Sequence, residues 1–319
     1  MQCSKCGTKV QVDDRFCEEC GTPVMTISKS TPGCKKCGAD SEEIDADGFC
    51  SNCGFRGENR QDDRLEVVRS PNLAGISDRG LRHYRNEDSV ACAQIDHKNA
   101  YILVVCDGVS SCSSPELAAQ AAAESACRKL NTAVLTQNSA FLQEAMKLAI
   151  AEAMTSVCAI PYTQITVAEP PSTTIVAAVV VEGIATIGWL GDSRAYWIAS
   201  NGSRQLTKDD SWLNDVVSSG EMSAAEARKS PHAHAITRWL GADAMNVEPS
   251  IVNFALPGCG NLLLCTDGLW NYVNDLPQFN TLVNQDADAI TLAQRLVEFA
   301  LHSGGHDNIS VAVLSWKGN

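Results

Sequence analysis

The sequence predicts an α+β fold: two packed, mostly antiparallel β-sheets flanked by helix pairs (an α-β-β-α sandwich), preceded by two small cysteine-rich modules. Strand-length apolar runs follow one another without an intervening helix over residues 173–199. Two segments with helical spacing adjoin over residues 113–157, and eight cysteines lie in the first 53 residues. Strands and helices that come in separate blocks argue against a Rossmann-like alternation.

Each element has its own local signal. Ser113 or Ser114 with Pro115 and Glu116 provides a hydroxyl cap, a proline in the first turn and an early acid, which together start a helix. Residues 206–241 contain few long apolar runs, and we expect a lid or flap there. The other expected elements, in chain order, are strand 101–106, helix 114–130, helix 139–157, strands 173–181, 184–190, 194–199 and 261–265, helix 288–303 and strand 309–316.

The acidic composition limits the classes of partner. The chain has 319 residues and a formal net charge of -13. Residues 1–60 carry 8 basic and 10 acidic side chains, whereas the rest carries 17 and 28. A nucleic-acid surface needs a basic footprint. No apolar run approaches the ~20 residues of a membrane span, and the N-terminus lacks a secretory core. We therefore expect a cytoplasmic protein that binds neither nucleic acid nor membrane.

The N-terminal cysteines form a tandem repeat of Cys-x-x-Cys knuckles, each followed by glycine. The first module contains Cys3, Cys6, Cys17 and Cys20, and the second contains Cys34, Cys37, Cys50 and Cys53. Two knuckles supply four thiolates, which close a tetrahedral zinc site without an open position. Modules of about 25 residues cannot bury enough core to fold unaided, and zinc supplies that free energy. The alternatives are disulfides or a redox dithiol, which a tandem repeat in an intracellular chain disfavours.

These modules resemble zinc ribbons, so we predict two structural Zn²⁺ ions per chain. Their basic residues are few and interleaved with acids, which favours protein docking over nucleic-acid binding. The predicted organisation is a ribbon at residues 1–24, a second at 32–57, a polar linker at 58–71 and a main domain at 72–317.

Four aspartates, each in a short motif, are spread over the main domain. Asp107-Gly108 and Asp267-Gly268 follow apolar strands, Asp307 precedes one, and Asp88 ends the motif Asn86-Glu87-Asp88. Sheets deliver carboxylates from several strand ends into one cleft. Clustered oxygen ligands favour a hard divalent cation, Mg²⁺ or Mn²⁺, over zinc.

Eight short motifs follow one another along the main domain: Asp78-Arg79-Gly80 with Asn86-Glu87-Asp88, Asp107-Gly108, Ser172-Thr173-Thr174, Gly191-Asp192-Ser193-Arg194, Asp209-Asp210-Ser211, Ile236-Thr237-Arg238, Thr266-Asp267-Gly268-Leu269-Trp270 and Gly304-Gly305 with Asp307-Asn308. In the order of these motifs, the chain from about residue 72 to 316 resembles a bacterial metal-dependent Ser/Thr protein phosphatase of the PPM family. One Asp-Gly alone would be weak evidence, whereas eight motifs in register are specific.

The resemblance implies a role for each acid. Asp107 would bridge two Mg²⁺ or Mn²⁺ ions, and the Gly108 carbonyl would join the first. Asp267 and Asp307 would complete the second site, while Glu87 and Asp88 would hold metal-bound waters. Two cations about 4 Å apart activate a water for in-line attack on a phosphoryl group. The implied reaction is hydrolysis of phosphoserine and phosphothreonine, without a protein nucleophile.

The chain departs from the family pattern near the expected substrate phosphate. His83 stands three residues before Asn86, where relatives commonly have a phosphate-binding arginine, and Arg82 and Arg85 flank it. These three residues are the candidates for phosphate contact. Glu169 is the candidate for a third metal ion, although Pro170-Pro171 makes that alignment loose.

A second departure follows Asp107-Gly108, where Val109-Ser110-Ser111-Cys112 replaces the usual Met-Gly-Gly or His-Gly-Gly. These altered residues motivate an alternative function, a catalytically weak or inactive phosphoprotein-binding scaffold. The intact carboxylates favour the enzyme. The sequence therefore predicts a cytoplasmic phosphatase that acts on phosphorylated proteins, the substrates of a Ser/Thr kinase, and docks proteins through its ribbons.

Overall fold

The structure is a computed structural model, and it divides into two compact units, Met1–Asn59 and Arg60–Asn319. The residues that it describes are Cys6, Thr8, Cys20, Cys34, 37–44, 50–53, 63–136, 141–162, 169–200, 202–245, 247–273, 275–283 and 287–318. Among these residues, no helix combines the length and apolarity needed to cross a bilayer.

In the first unit, the second cysteine module forms a four-thiolate cluster. The sulfur atoms of Cys34, Cys37, Cys50 and Cys53 all lie within 4.8 Å of one another. The Sγ atoms are 3.5 Å apart for Cys34 and Cys53 and 3.6 Å apart for Cys37 and Cys50. A disulfide needs about 2.05 Å, whereas Zn–S bonds of about 2.3 Å in a tetrahedron separate sulfurs by about 3.8 Å. The cluster therefore fits one zinc ion.

The first module is described only in part. Cys6 and Cys20 are placed, and Cys6 Sγ lies 3.3 Å from Thr8 Oγ1. Cys3 and Cys17 lie outside the described residues, so their predicted thiolate pairing stays a prediction of the sequence.

The two cysteine modules can be tested by zinc content. We expect wild-type protein to hold two zinc ions and Cys50→Ser to hold one, because a structural site that loses one of four thiolates is no longer closed. A chromophoric chelator assay on anaerobically purified protein measures both. Cys158→Ser, which alters an exposed cysteine of the second unit, should keep two ions. Equal zinc in wild type and Cys50→Ser would contradict the site.

The second unit contains two large antiparallel sheets. The six-stranded sheet has the order β1-β2-β13-β12-β8-β9, and the five-stranded sheet has the order β11-β7-β6-β4-β3. A short pair, β5 with β10, stands apart. The strands are β1 Arg64–Ser70, β2 Leu73–Asp78, β3 Asp88–Ile95, β4 Ala100–Asp107, β5 Ser172–Thr173, β6 Ile175–Val181, β7 Ile184–Leu190, β8 Arg194–Ile198, β9 Arg204–Gln205, β10 Leu240–Gly241, β11 Ser250–Ala255, β12 Gly260–Cys265 and β13 Ile309–Trp316.

Helices α1 and α2 pack on the outer face of one sheet, and α5, α6 and α7 pack on the outer face of the other. The helices are α1 Pro115–Thr136, α2 Leu142–Cys158, α3 Trp212–Ser218, α4 Ala224–Ala227, α5 Asp267–Trp270, α6 Leu276–Leu282 and α7 Ala289–His302. In β4, Ile102 and Val104 pack with α1 and α2, whereas Leu103 and Val105 face the core between the sheets. In β12, Leu263 packs with α7 on the other outer face. Strand alternation thus produces the predicted α-β-β-α sandwich, and this prediction is confirmed.

One boundary differs from the prediction. Residues Arg64–Ser70 form β1, which pairs with β2 along its length, so the predicted linker over residues 58–71 is wrong for this part. The strand lies at an edge of its sheet, and four of its seven side chains are exposed, including Glu66 and Arg69. Charged side chains on an edge strand prevent it from pairing with other chains, and they also give it the composition of a linker.

Candidate functional site

The candidate site begins where β3 and β4 end. Asp88 and Asp107 are directly paired across this antiparallel ladder, so their side chains share a face of the sheet. Alternation places both on the face of Val90 and Val105, which belong to the core between the sheets. Asp88 is buried and Asp107 is half-buried. The two carboxyl groups therefore lie at one end of the cleft between the sheets.

The opposite sheet supplies groups to the same place. Asp267 lies two residues after the end of β12, and Asp307 precedes β13 by two residues. Thr266 Oγ1 donates a hydrogen bond of 2.9 Å to Asp88 Oδ2 and accepts one from the Ser310 backbone amide. These contacts join the two sheets at the carboxylates and confirm that the strand ends converge.

Crowding shifts the pKa values of these acids. Burial raises the pKa of Asp107 well above its ordinary value, and like charges add to the shift; they belong to Asp88, Asp267, Asp192 and Asp307. Burial and then repulsion from Asp192 raise the pKa of Asp267 in the same way. Burial raises the pKa of Asp88 to about 7 despite hydrogen bonds from Thr266 and Ser310. Among the described residues, the contacts around these three acids do not offset their burial and mutual repulsion.

The side chains present fit divalent cations. Asp88 Oδ1 is buried and receives no hydrogen bond from any described residue. A buried carboxylate oxygen is normally paired or bound to a metal. Asp107, Asp267 and Asp307 are partly exposed around it, so a hydrated ion could reach them. Carboxylates and a nearby backbone carbonyl are the ligands that Mg²⁺ and Mn²⁺ take.

Asp192, in the motif Gly191-Asp192-Ser193-Arg194, is an acid to which the motif resemblance assigns no metal role. Its carbonyl oxygen accepts a 3.0 Å hydrogen bond from Trp270, three residues after Asp267, and its charge adds to burial in raising the pKa of Asp267. Burial raises the pKa of Asp192 itself to about 6, with repulsion from Asp209 next. Asp192 thus belongs to the cluster.

The glycines of both Asp-Gly motifs allow backbones to approach closely. A Cβ on Gly108 would lie 2.5 Å from the Glu87 carbonyl oxygen and 2.6 Å from that of Pro115. A Cβ on Gly268 would collide with the Asn308 carbonyl oxygen. Neither glycine can take a side chain without moving a neighbouring segment of the site.

The residues after Asp107-Gly108 contact two predicted acids. Ser110 Oγ donates a 2.6 Å hydrogen bond to Glu87 Oε2, and Ser111 Oγ donates a 3.1 Å hydrogen bond to Glu169 Oε2. The backbone at residue 169 also pairs with Cys112. The serines therefore orient Glu87 and Glu169, which is a role that the sequence did not suggest. Glu169 lies beside this loop, and its metal role stays a prediction.

Asn308 holds the loop that carries Glu87 in place. Its Nδ2 donates hydrogen bonds to the carbonyl oxygens of Arg79 (2.8 Å) and Arg85 (3.0 Å), and its Oδ1 accepts one of 2.8 Å from the Glu87 amide. The side chain is buried. The sequence marked Asn308 only as the neighbour of Asp307, because its partners lie more than 220 positions away.

We expect Asn308→Ala to destabilise the second unit by roughly 3 kcal/mol, since it removes three hydrogen bonds from a buried side chain to backbone groups. Asn280→Ala, at an exposed amide that accepts from Ser203, should change stability by less than about 0.5 kcal/mol. Urea unfolding followed by tryptophan fluorescence measures both variants, because all six tryptophans lie in this unit. Equal urea midpoints for Asn308→Ala and Asn280→Ala would show that Asn308 does not hold the loop.

The three predicted phosphate-contacting residues lie in different surroundings. His83 Nε2 is 3.1 Å from Asp307 Oδ1, so His83 contacts the carboxylate cluster. Arg85 is paired with Glu116 at 3.1 Å, and Arg82 is exposed. The geometry favours His83 among the three for a contact with a bound phosphoryl group.

Arg194 links the start of the 206–241 segment to the carboxylate cluster. It makes two hydrogen bonds to Asp209, of 2.8 and 2.6 Å. Its guanidinium group stacks 3.6 Å above the Trp270 ring, and Trp270 Nε1 donates to the Asp192 carbonyl oxygen. Bidentate pairing and stacking fix the guanidinium plane. The start of this segment is thus held against two elements near the cluster, and its role as a lid or flap stays a prediction.

The sequence matches two family descriptions. Residues 79–299 match Protein phosphatase 2C, and residues 2–24 match the zinc-ribbon domain. The first match spans most of the chain, so this protein belongs to the protein phosphatase 2C family, as the motif resemblance predicts.

Individual relatives agree with that family. The serine/threonine protein phosphatase PstP of Mycobacterium tuberculosis is 29% identical over 252 residues, which cover 75% of this chain and 44% of PstP. The serine/threonine phosphatase stp of Listeria welshimeri is 28% identical over 241 residues, covering 75% of this chain and 93% of the relative. This chain thus spans under half the length of PstP and nearly all of stp.

A solved structure shares the fold of the second unit. The crystal structure of the PstP catalytic domain in complex with two manganese ions is 27% identical, with a TM-score of 0.61. The match covers 79% of this chain and 99% of that one.

Proposed function

We propose that this protein is a metal-dependent protein-serine/threonine phosphatase that uses two Mg²⁺ or Mn²⁺ ions. The observation that carries the proposal is the convergence of Asp88, Asp107, Asp267 and Asp307 at one end of the sheets, with pKa shifts that call for cations. The two manganese ions in the PstP catalytic domain support the choice of metal.

Each side chain then has a role in binding. Asp107 would contact both ions, with the Gly108 carbonyl at one and Asp267 and Asp307 at the other, while Glu87 and Asp88 would accept hydrogen bonds from water around them. When bound, the ions acidify a water molecule and neutralise charge on the phosphoryl oxygens. Thr174 Oγ1 accepts from the Asp107 amide and Thr173 Oγ1 donates to its carbonyl oxygen, which fixes Asp107.

The phosphate would bind beside His83. Its Nε2 contacts Asp307, which keeps the imidazole at the edge of the cluster. When the ring is protonated, its other nitrogen, Nδ1, could donate a hydrogen bond to a phosphoryl oxygen or to the departing Ser or Thr oxygen. An imidazole makes fewer hydrogen bonds than the arginine fork usual at this position, so we expect weaker phosphate binding than in relatives.

The ribbons and the compartment belong to the same proposal. We infer that the ribbons dock phosphoprotein substrates, and that the protein is cytoplasmic because its later cysteines are mostly buried thiols. The double variant Cys34→Ser, Cys37→Ser should raise KM for a phosphoprotein but not for a short phosphopeptide. Parallel changes in both KM values would argue against docking.

The test of the function is phosphate release from phosphothreonine peptides with Mn²⁺, with Mg²⁺ and without divalent cations. We expect turnover with either ion and none without. Folded protein that binds phosphopeptide but releases no phosphate under any of these conditions would instead support a scaffold.

A further inference from the structure

Residues 81–85, Leu-Arg-His-Tyr-Arg, form a loop between β2 and β3, which we call the rim loop. It borders the carboxylate cluster through the contact of His83 with Asp307. Its remaining four side chains have no part in the reaction as described above.

The backbone of the rim loop is firmly held. Three hydrogen bonds fix it: Leu81 N to Gly305 O (2.7 Å), Arg79 Nη1 to His83 O (3.2 Å) and Asn308 Nδ2 to Arg85 O (3.0 Å). Just before it, Gly80 adopts a φ of +76° and packs against the Asp307 carbonyl oxygen. A loop anchored in this way loses little conformational entropy when it binds a partner.

The side chains of the rim loop face solvent although two of them are large and apolar or aromatic. Leu81 is 51% exposed and Tyr84 is 66% exposed. The Arg85 side chain is 56% exposed even with its contact to Glu116, and Arg82 is exposed. A rigid backbone that presents Tyr, Leu and two Arg is typical of a recognition surface, since Tyr and Arg dominate binding energy at interfaces.

The charge of the loop suggests what it binds. The chain carries a net charge of -13, so its surface as a whole repels an anionic peptide. Arg82 places positive charge at the rim beside the half-exposed Arg85, which also contacts Glu116, and the segment next to a phosphorylated residue has to pass there. Opposite charges at such a rim favour encounter and fix the register of binding.

We propose that the rim loop is a docking surface for the substrate segment beside the phosphorylated residue, and that it selects acidic segments with an apolar side chain. Arg82 and Arg85 would contact the acidic side chains, and Leu81 and Tyr84 the apolar one. This inference rests on the proposed phosphatase function.

The experiment compares two phosphothreonine peptides of equal length, one with Asp, Glu and Leu beside the phosphothreonine and one with Lys and Ser there. We expect wild type to prefer the acidic peptide, mainly through KM. Arg82→Glu should reduce the ratio of the two kcat/KM values about 10-fold. Tyr84→Ala should reduce it about 5-fold.

The matched control is Arg128→Glu, which makes the same charge change at an exposed position of α1 about 18 Å from Glu116 at 1.5 Å per residue. It should keep the wild-type ratio. An unchanged ratio in both rim-loop variants would overturn the proposal, and so would an equal loss on both peptides in Arg82→Glu, which would place Arg82 at the phosphate. Wild-type turnover of either peptide upholds the phosphatase function in all these cases.

Discussion

Asp107→Asn and Asp267→Asn should each reduce metal-dependent phosphate release by about 10³-fold or more, while the protein stays folded. Each substitution removes the negative charge of a carboxylate that we propose binds the cations. A loss of roughly 4 kcal/mol of transition-state stabilisation corresponds to that factor. Phosphate release from a phosphothreonine peptide with Mn²⁺ measures the effect.

The same variants should gain stability in the absence of metal. Burial and then repulsion from neighbouring acids raise the pKa of Asp107 and of Asp267, so removing one charge relieves the others at pH 8. Loss of activity together with a higher metal-free unfolding midpoint would separate a cation ligand from a residue that supports the fold. Asp96→Asn, an exposed acid at the other end of the β3–β4 hairpin, should change neither property. Near-normal turnover in Asp107→Asn or Asp267→Asn would refute the two-metal assignment.

The sequence predicted the sandwich and most of the cluster because both leave local signals. Alternating or continuous apolar runs identify β4, β6 and β12, and an acid close behind such a run falls near the strand end: Asp107 is the last residue of β4, and Asp267 lies two residues beyond β12. The placement of β1 could not be predicted in this way. Its exposed, charged side chains have no strand-like pattern, and pairing with β2 alone defines it.

The contacts that orient the acids are equally invisible in the sequence. The hydrogen bonds of Asn308 to residues 79–87 and of Thr266 to Asp88 join positions that are 178 or more residues apart. Ser110 is a small polar residue in a loop until the fold brings Glu87 to it. A strand end gives a carboxylate its position, whereas hydrogen bonds from the opposite sheet give it an orientation.

Metal-free protein should become less stable as pH rises from 5 to 8, and Mn²⁺ should reverse the trend. Asp88 has a folded pKa of about 7, against about 3.9 for an unfolded aspartate. Between these two pKa values the folded state keeps a proton on Asp88 that the unfolded state has released. The resulting contribution to folding stability is fully present below about pH 4 and is lost as pH approaches 7. For Asp88 alone, the free energy of unfolding should decrease by roughly 2 kcal/mol between pH 5 and 7, because the slope of about 1.4 kcal/mol per unit falls as Asp88 ionises.

The measurement is urea unfolding followed by tryptophan fluorescence, which reports on the second unit alone because residues 1–59 contain no tryptophan. Exhaustive dialysis should replace chelators, which would also strip the zinc thiolates. With saturating Mn²⁺ the carboxylates bind the ion in their charged form, so stability should rise with pH as protons cease to compete. In Asp107→Asn the free energy of unfolding should depend less steeply on pH, both without metal and with Mn²⁺. A metal-free profile that is flat from pH 5 to 8 would show that the acids are not crowded enough to need the cations, and the phosphatase site would then require another explanation.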